Sequence, residues 1–568
     1  MFGDADKTER TVSRSEEEKS ALVKTTYMRR SLAATLVTLT KSTSALVMSS
    51  RRPLTTVVWL RDELRVHDNA LFDAAAESKA MVPVFCLSPD VYGATTEEGL
   101  AKVGAKRAKF VLECLEDLGG SLRMKGSDLL TFRDRPEVVV DTIVRELLES
   151  GDKDIQVVCA EGVCTEEQEE EKKVEAALKK HGVPLKRIWE KTMYHLEDVQ
   201  KLPGQLPEDV FTSWRTKVEK VRTPVRAELP KKEKFPPLPA PAATRREVLP
   251  SLSDLGYDEA EAVCDMRGDF FGPVGGETAG LARLKRYIFD EDRLKDYFET
   301  RNQMIGQAYS SKLSPWLARG CISPRRVFWE CQRYERERNI KNKSTYWLVF
   351  EMLWRDYFCF FARRHGPKLF WPSGVKNIGK HHKMSWLSSK SPEFLAFCRG
   401  DTGSPLVDAN VEELKKTGHM SNRGRQNVAS YLVLDLGVDW RLGAAFFESH
   451  LIDYTPESNW GNWHQAAGLG GGRLNKFNIL KQSKDYDPDG NYVKLWLPAL
   501  KKIPAPACFE PNKLNLADQA RYDCTNYPAP INIQKRVAAA GQGHAGGNNN
   551  SRGKKNDRKR RVGTPRLQ

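Results

Sequence analysis

Hydroxyl, ammonium and backbone groups in the segment 310–320 (SSKLSPWLARG) have the chemistry of a diphosphate site. Ser314 is followed by a proline, and this pair predicts the N-cap and first residue of a short helix closed by a glycine. Ser310, Ser311 and Lys312 precede that N-terminus, where free N–H groups and the helix dipole favour an anion. A capped helix without a ligand is the alternative interpretation.

A second polar cluster lies in 419–427 (HMSNRGRQN). Asn422, Arg423 and Arg425 carry forked donors that suit phosphates and base edges. Asp453 is flanked by apolar residues (LIDY), which predicts burial, and a buried carboxylate needs a cation. Arg425 is our candidate for that cation, and the residues alone leave other pairings open.

Two tryptophans stand three positions apart in 459–463 (NWGNW), with a glycine between them. This spacing predicts a loop or helix start packed against a flat group, and core packing is the alternative. The acidic run from Glu166 to Glu171 is typical of a solvated helix face. No CxxC pair occurs among the 11 cysteines, so neither a zinc module nor a secreted disulfide framework is expected, and no metal site is predicted.

The length and composition of the chain predict two to four folded domains. The chain has 568 residues, and 40% of them are hydrophobic. No apolar stretch is long enough to span a membrane. The net charge of +15 is uneven: residues 53–200 carry 29 acidic and 20 basic side chains, while 534–568 carry 10 basic and one acidic. Basic character in the second half and the tail indicates a polyanionic partner, or else an uneven solvated surface.

Short apolar runs alternate with helical-period segments up to about residue 200, and the first run is 54–60 (LTTVVWL). This alternation predicts a doubly wound parallel α/β domain over 53–200, without the GxGxxG fingerprint of dinucleotide binding. Seven prolines between positions 224 and 250 predict an extended connector within 201–270. Long 3.6-residue periods and most of the tryptophans predict an all-α domain over 271–530.

The two ends of the chain have the composition of disordered segments. The leader, 1–52, lacks acidic residues from position 21 onward and resembles an organellar transit peptide, with an untargeted leader as the alternative. The tail, 531–568, is rich in Gly, Asn, Lys and Arg and includes KKNDRKRR (554–561). Plastid or mitochondrion is therefore the expected compartment, with the nucleus as the alternative that the basic tail favours.

Motifs spread over most of the chain resemble the photolyase/cryptochrome family. They are VVWLRDELRVHDN (57–69), YSSKLSPWLARGCISP (309–324), YWLVFEMLWRDYF (346–358), TGSPLVDANVEEL (402–414), the segment 417–454 and SNWGNWHQAAG (458–468). SNRGRQNVASY (421–431) and the segment 481–500 are similar to the cryptochrome DASH branch in particular. The resemblance implies an antenna-type α/β domain, a helical domain that binds FAD, and light-driven repair of cyclobutane pyrimidine dimers, preferably in single-stranded DNA.

The resemblance also implies roles for individual residues. Positions that hold the FAD phosphates correspond to Tyr297, Ser310, Ser311, Lys312, Leu313 and Ser314. Arg425 and Asp453 correspond to the ion pair beside the isoalloxazine ring, and Asn459 to the residue facing flavin N5. Contacts to DNA or the dimer correspond to Glu351, Trp354, Asn422 and Arg423. The electron-hopping chain from flavin to surface corresponds to Trp463, Trp440 and Trp386.

Four positions separate this sequence from the family pattern or help to weigh its roles. Trp460 replaces the usual tyrosine of the DASH branch but keeps a stacking face, whereas Gln465 replaces an aromatic residue expected in the dimer pocket. Gly162 stands where folate-binding members carry a glutamate, so a 5,10-methenyltetrahydrofolate antenna is expected only if another residue replaces it. Asn459 cannot protonate the flavin as the aspartate of plant photoreceptors can, which favours the reduced, repair-competent flavin.

Three functions follow from these features. The first is a deoxyribodipyrimidine photo-lyase that contains FAD and acts on single-stranded DNA, and the second is a blue-light photoreceptor that binds nucleic acid and repairs little. The third is a light-independent nucleic-acid binder that contacts DNA or RNA through the basic tail. A monomer without a membrane anchor is expected for all three.

Overall fold

The computed structural model describes residues 54–204, 207–269, 272–375, 386–471 and 474–531. The predicted leader and all but the first residue of the predicted tail lie outside the described residues. None of the helices in these ranges is both long and apolar enough to cross a membrane.

A five-stranded parallel sheet forms the N-terminal domain, which confirms the doubly wound α/β fold. Its strands are β1 (Thr55–Leu60), β2 (Ala80–Cys86), β3 (Leu130–Phe132), β4 (Ile155–Ala160) and β5 (Leu185–Ile188), in the order β3-β2-β1-β4-β5. All pairings are parallel. Every residue of the central β1 is buried, because helices cover both faces of the sheet.

Helices of the first domain were expected between its strands, but the helices of the segment after it were not, because 201–270 was predicted as a connector with an extended proline-rich stretch. They are α1 (Ala70–Ala75), α2 (Ala105–Met124), α3 (Pro136–Glu149), α4 (Thr165–Lys179), α5 (Leu196–Gln200), α6 (Phe211–Lys220) and α7 (Ala240–Ala243). Residues of α3 and α4 pack on the face of β1 that carries Val57 and Trp59. The opposite face, with Val58 and Leu60, joins a larger core that continues into the helical domain.

The second domain is helical, as predicted. Its helices are α8 (Glu277–Lys285), α9 (Tyr297–Thr300), α10 (Ser314–Ala318), α11 (Pro324–Arg338), α12 (Lys343–His365), α13 (Pro392–Arg399), α14 (Pro405–Thr417), α15 (Asn422–Ser430), α16 (Trp440–His450), α17 (Pro456–Ala466), α18 (Ile479–Tyr486), α19 (Asn491–Trp496) and α20 (Leu516–Arg521). The longest, α12, begins with a capping box in which Asn342 and Thr345 satisfy each other's backbone N–H groups. One of its faces is aromatic and buried in the core shared by both domains.

Close packing of α16 on α17 depends on a glycine. A Cβ at Gly443 of α16 would overlap the ring of Trp463 on α17. Trp440, Gly443 and Phe447 share one face of α16, because they are spaced by three and four residues. Trp463 therefore lies on the face of α16 that also carries Trp440.

The loop after β1 (residues 61–69) fastens the two domains together. Asp68 is buried and accepts hydrogen bonds from Arg325 at 2.7 and 2.9 Å, and from Ser323. Arg65 pairs with Glu190 and donates to the carbonyl of Gly320 at 2.8 Å. Because these charges are buried and mutually paired, removing one partner would leave the other uncompensated.

Replacing Gly320 with alanine is expected to destabilise the protein by about 2–4 kcal/mol, since the substitution adds left-handed strain and overpacking. Gly320 has φ +62°, and a Cβ would overlap the carbonyl oxygen of Asp62 across the domain interface. Gly151 is the matched control, because it has φ +92° with no atom within 4 Å of the added Cβ. Urea unfolding of both variants measures the difference, and equal shifts for Gly320→Ala and Gly151→Ala would contradict an interdomain role for Gly320.

Candidate active site

A cavity of about 760 Å³ opens in the helical domain and gathers residues from distant parts of the sequence. Of the predicted site residues, it is lined by Tyr297, Ser310, Ser311, Lys312, Leu313, Ser314, Glu351, Trp354, Asn422, Arg425, Asp453, Asn459, Trp463 and Gln465. These residues come from α9, α10, α12, α15 and α17 and from the loops beside them. The cavity therefore joins the positions expected to hold FAD to those expected to hold a substrate.

One end of the cavity is formed by the segment before α10. The helix begins one residue earlier than predicted: Leu313 occupies the N-cap position and provides no side-chain cap. Ser314 is therefore the first residue of the helix, and its hydroxyl does not cap it. Lys312 has φ +51° and donates to the carbonyl of Gly306 at 2.7 Å, and burial lowers its pKa to about 8.

Arg425 and Asp453 form an ion pair in the cavity wall. Nη2 of Arg425 lies 2.8 and 3.1 Å from the two carboxylate oxygens, and its Nε donates to the carbonyl of Met420 at 2.9 Å. Burial opposes ionisation of Asp453, but the adjacent guanidinium outweighs it and holds the pKa of this carboxyl below its ordinary value. A cation is thus fixed at the edge of the cavity at neutral pH.

Asn459 is buried on α17, and its amide has a defined orientation. Its Nδ2 donates to the carbonyl of Ala444 on α16 at 2.9 Å. Because a carbonyl can only accept, the amide nitrogen must face Ala444, and Oδ1 is left as the acceptor. The side chain lines the cavity and offers it an acceptor.

Glu351 on α12 has a cationic partner that the sequence analysis missed. Its carboxylate lies 2.7 Å from the guanidinium of Arg301, which also lines the cavity. Burial raises the pKa of Glu351, and Arg301 opposes this effect only in part. The only signal for Arg301 was its position one helical turn after Tyr297, which is too weak to assign a role.

Trp354 has an aromatic partner that was also missed. Phe211 of α6 stacks on its indole, with centroids 3.6 Å apart and planes inclined by 12°. Phe211 lies within the segment predicted as a connector, so one wall of the cavity comes from between the two domains. Gln465 lines the cavity too, and its side chain forms no hydrogen bond with the described residues.

Two residues that were predicted to contact DNA, Trp460 and Arg423, are not among those that line the cavity. The ring of Trp460 is packed between Trp440 (5.8 Å between centroids) and Phe370 (5.1 Å), because its position on α17 turns it toward α16. Arg423 lies beside the cavity: it donates to Oε1 of Gln426, which lines the cavity, at 3.0 Å, and its guanidinium lies 4.6 Å from the ring centroid of Tyr486. The roles of both residues in contacting DNA stay predictions.

The three tryptophans of the predicted electron chain lie in one apolar cluster with different exposures. Trp463 lines the cavity and contacts Phe447, with ring centroids 4.9 Å apart. Trp440 is fully buried and donates to the carbonyl of Pro372 at 3.3 Å. Trp386 packs partly buried against the same cluster, and the adjacent Leu387 pairs with Val438 just before α16. The order from cavity to protein surface is thus Trp463, Trp440, Trp386.

Comparisons with known proteins agree with this architecture. A family model for DNA photolyase matches residues 56–242, and one for the FAD binding domain of DNA photolyase matches residues 347–542. Cryptochrome DASH of Gloeobacter violaceus is 44% identical over 86% of this chain and 95% of its own length. The chloroplastic/mitochondrial cryptochrome DASH of Ostreococcus tauri is 42% identical over 84% of this chain and 90% of its own.

A solved structure gives the same result. The crystal structure of the Synechocystis cryptochrome superposes with a TM-score of 0.78 at 40% identity, over 87% of this chain and 99% of that one. A parallel α/β domain joined to a photolyase-type FAD-binding domain defines the class of protein. The chain belongs to the photolyase/cryptochrome family, in its cryptochrome DASH branch.

The position expected for a folate antenna does not provide the carboxylate. The N–H of Gly162 donates to Glu171 at 2.7 Å, and a Cβ at this position would lie 2.6 Å from Cβ of Glu167. Glu161 pairs with Arg363 at 3.1 Å. The residues here do not fit 5,10-methenyltetrahydrofolate in the way the family pattern requires. No group of His, Cys, Asp and Glu among the described residues could hold a metal ion.

Proposed function

We propose that this protein splits cyclobutane pyrimidine dimers with blue light, using FAD held in the cavity and preferring single-stranded DNA. One observation carries the proposal: Glu351 and Trp354 on α12 line the same cavity as Arg425, Asp453 and Asn459. A substrate at the first pair would therefore lie next to a flavin at the other three residues.

The donors of the cavity fit FAD. Hydroxyls and an ammonium from Ser310, Ser311 and Lys312 suit the phosphates. Arg425, fixed by Asp453, suits the electron-rich edge of the flavin ring, and the Oδ1 atom of Asn459 suits an N–H donor such as N5 of reduced flavin. Bound, reduced FAD supplies the light-driven electron for ring opening and takes it back afterwards.

Residues of this chain position the dimer and stabilise its charge. The carboxyl of Glu351 has a raised pKa and, when protonated, donates a hydrogen bond to a carbonyl of the dimer, where negative charge develops. Arg301 holds that carboxyl in place and adds positive charge to the cavity. Trp354, stiffened by Phe211, provides an apolar wall for the extruded bases. Preference for single strands follows because no base pair has to open before the dimer enters.

Replacing Glu351 with glutamine tests its role as a donor. Repair by the wild type should fall as pH rises through the raised pKa of Glu351, because the carboxyl then loses the proton that it donates. Repair by Glu351→Gln, which keeps a donor, should be independent of pH, whereas repair by Glu351→Ala should be about three- to tenfold slower than repair by the wild type at pH values below the pKa of Glu351, the value of one hydrogen bond. Initial repair rates against pH measure this, with surface Glu510→Gln as control. Parallel profiles for wild type and Glu351→Gln would contradict the assignment.

Photoreception is the second candidate function, and Gln465 favours it. An amide in place of an aromatic side chain removes one stacking wall from the cavity, which weakens dimer binding without affecting light absorption. If repair is the function, the wild type should bind a single strand that contains a dimer more tightly than the same strand without the dimer. Equal affinity for damaged and undamaged strands in fluorescence titrations would contradict the repair proposal and support photoreception.

The termini supply the remaining proposals. We propose that the leader directs the protein to a plastid or mitochondrion, the compartments in the name of the chloroplastic/mitochondrial cryptochrome DASH of Ostreococcus tauri. The basic tail adds affinity for DNA or RNA through its phosphates, and the protein acts as a monomer. Truncation after Gln534 should lower the affinity for undamaged nucleic acid and should make that affinity depend less steeply on salt concentration, the salt slope. Repair should be unchanged. An unchanged salt slope would contradict the role of the tail.

A further inference from the structure

Arg283 of α8 lies behind the loop before α10 (residues 307–312). Its Nε donates to the carbonyl of Ser311 at 3.0 Å, and its Nη2 donates to the carbonyls of Gln307 at 3.0 Å and Ser310 at 3.2 Å. Arg283 is 6% exposed and is not among the residues that line the cavity. One guanidinium therefore holds three carbonyls of a single short loop from the side away from the cavity.

These hydrogen bonds decide how the loop is oriented. In a trans peptide, the C=O of one residue and the N–H of the next lie in one plane and point in opposite directions. The carbonyls of Ser310 and Ser311 are turned to Arg283. The N–H groups that follow them, those of Ser311 and Lys312, therefore point the other way. Because Ser310, Ser311 and Lys312 all line the cavity, the loop presents donors to it while its acceptors are held behind it.

Packing of α8 fixes the place of Arg283. A Cβ at Gly280 would lie 2.8 Å from Cδ1 of Trp316, so α8 and α10 are in direct contact. Gly280 and Arg283 lie on the same face of α8, since they are three residues apart. Near the start of the helix, the N–H of Thr278 donates to Asp117 of α2 at 3.2 Å. Contacts with α10 and with the N-terminal domain thus hold the guanidinium at the loop.

The same guanidinium is linked to Tyr297, another residue expected to hold the phosphates. Arg283 lies over the ring of Tyr287, 5.3 Å from its centroid, and Tyr287 meets Tyr297 edge to face at 6.4 Å. An arginine side chain stays protonated in proteins. Arg283 therefore places a buried positive charge behind the donors of the loop, and this charge favours an anionic ligand in front of them.

We propose that Arg283 is a positioning residue for the diphosphate of FAD: it shapes the loop before α10 and supplies a fixed positive charge behind it. The inference rests on the proposed function, because that function places FAD in this cavity. Arg283 acts through the loop and does not itself contact the ligand. The diphosphate therefore depends on Arg283, whereas the flavin ring depends on Arg425 and Asp453.

Binding of two ligands to the full-length apoprotein tests this role. FAD carries the diphosphate, whereas riboflavin carries the same ring without a phosphate. Arg283→Met keeps an apolar stem but loses the fork, so FAD should bind about tenfold to hundredfold more weakly, the value of hydrogen bonds to a charged group, while riboflavin binding stays unchanged. Quenching of flavin fluorescence in titrations gives both dissociation constants. Arg286→Met is the matched control, because Arg286 directly follows α8 and pairs with Glu291 at 2.6 Å while more than half exposed.

Arg283→Lys separates the shape of the side chain from its charge and covers the case in which the methionine variant does not fold. Lysine keeps the buried charge, but a compact ammonium lacks the planar fork that reaches all three carbonyls. The affinity for FAD should fall by about three- to tenfold, the value of one hydrogen bond, and the affinity for riboflavin should again stay unchanged.

The outcomes separate this role from the proposed function. Equal losses of affinity for FAD and riboflavin, or no loss for either, would overturn the role of Arg283. Two unfolded variants beside a folded Arg286→Met would assign Arg283 to the fold alone and would overturn it as well. Wild-type protein that binds FAD but leaves dimers intact would contradict the proposed function and leave the positioning role standing. Wild-type protein that binds no FAD would overturn both.

Discussion

Replacing Trp440 with phenylalanine is expected to abolish photoreduction of bound FAD while leaving the fold intact. Trp440 packs in the same apolar cluster as Trp463, which lines the cavity, and Trp386, so it is the predicted middle member of the electron chain. Phenylalanine fills most of the same space but is far harder to oxidise, so the hole stays on Trp463 and returns to the flavin. The expected cost in stability is about 1–2 kcal/mol, less than that of a truncation to alanine.

Absorbance of the loaded protein under continuous blue light with a thiol reductant measures this effect. Trp496→Phe is the matched control, because Trp496 is buried to a similar degree but belongs to another apolar cluster. The control should be photoreduced like the wild type, and both variants should unfold cooperatively. Photoreduction of well-folded Trp440→Phe at the wild-type rate would contradict the assignment of the chain.

Replacing Asp453 with asparagine is expected to weaken FAD binding by about tenfold to hundredfold, the value of a charge-assisted hydrogen bond. Asp453 is the carboxylate that holds Arg425 at 2.8 Å. Asparagine has nearly the same shape but no charge, so Arg425 loses its anionic partner.

The fluorescence of the FAD that dissociates when the protein is diluted gives the dissociation constant of FAD. The pKa of Asp453 is held below 3.8, so the pair is complete above that pH and is lost only as pH falls through the lowered pKa. Wild-type protein should therefore retain FAD down to mildly acidic pH. Asp485→Asn removes the carboxylate of an exposed pair with Lys481 and should leave FAD binding unchanged. Equal FAD retention by Asp453→Asn and the wild type would contradict the role of the pair.

The fold could be predicted from the sequence because its local signals agree with one another. Apolar runs such as 54–60 are buried on both faces, and a parallel sheet is the arrangement that requires this. The role of the loop after β1 could not be predicted, because Asp68 meets Arg325 only in the tertiary structure. Likewise, the proline-rich segment gave no sign that α6 just before it supplies Phe211 to the cavity.

The sequence predicted most residues of the candidate site but not which way their side chains point. Spacing along the chain identifies Trp460 and Trp463 as neighbours on one helix, yet only the approach of α16 decides that Trp463 faces the cavity and Trp460 faces Trp440. The same limit applies to Arg423, which shares a segment with Arg425 but, unlike it, does not line the cavity. Arg301 was missed because an ion pair with Glu351 leaves no mark in either local sequence.

Light-driven repair of a thymine dimer in a single-stranded oligonucleotide is the most direct test of the central claim. Purified protein with reduced FAD should remove the dimer rapidly in blue light, more slowly in the matching duplex, and not at all in the dark. Gln465→Tyr, which restores an aromatic wall, should bind the dimer more tightly than the wild type. If flavin-loaded wild-type protein that can be photoreduced leaves the dimer intact in both the single-stranded and the duplex substrate, the repair function is contradicted. Photoreception then takes its place.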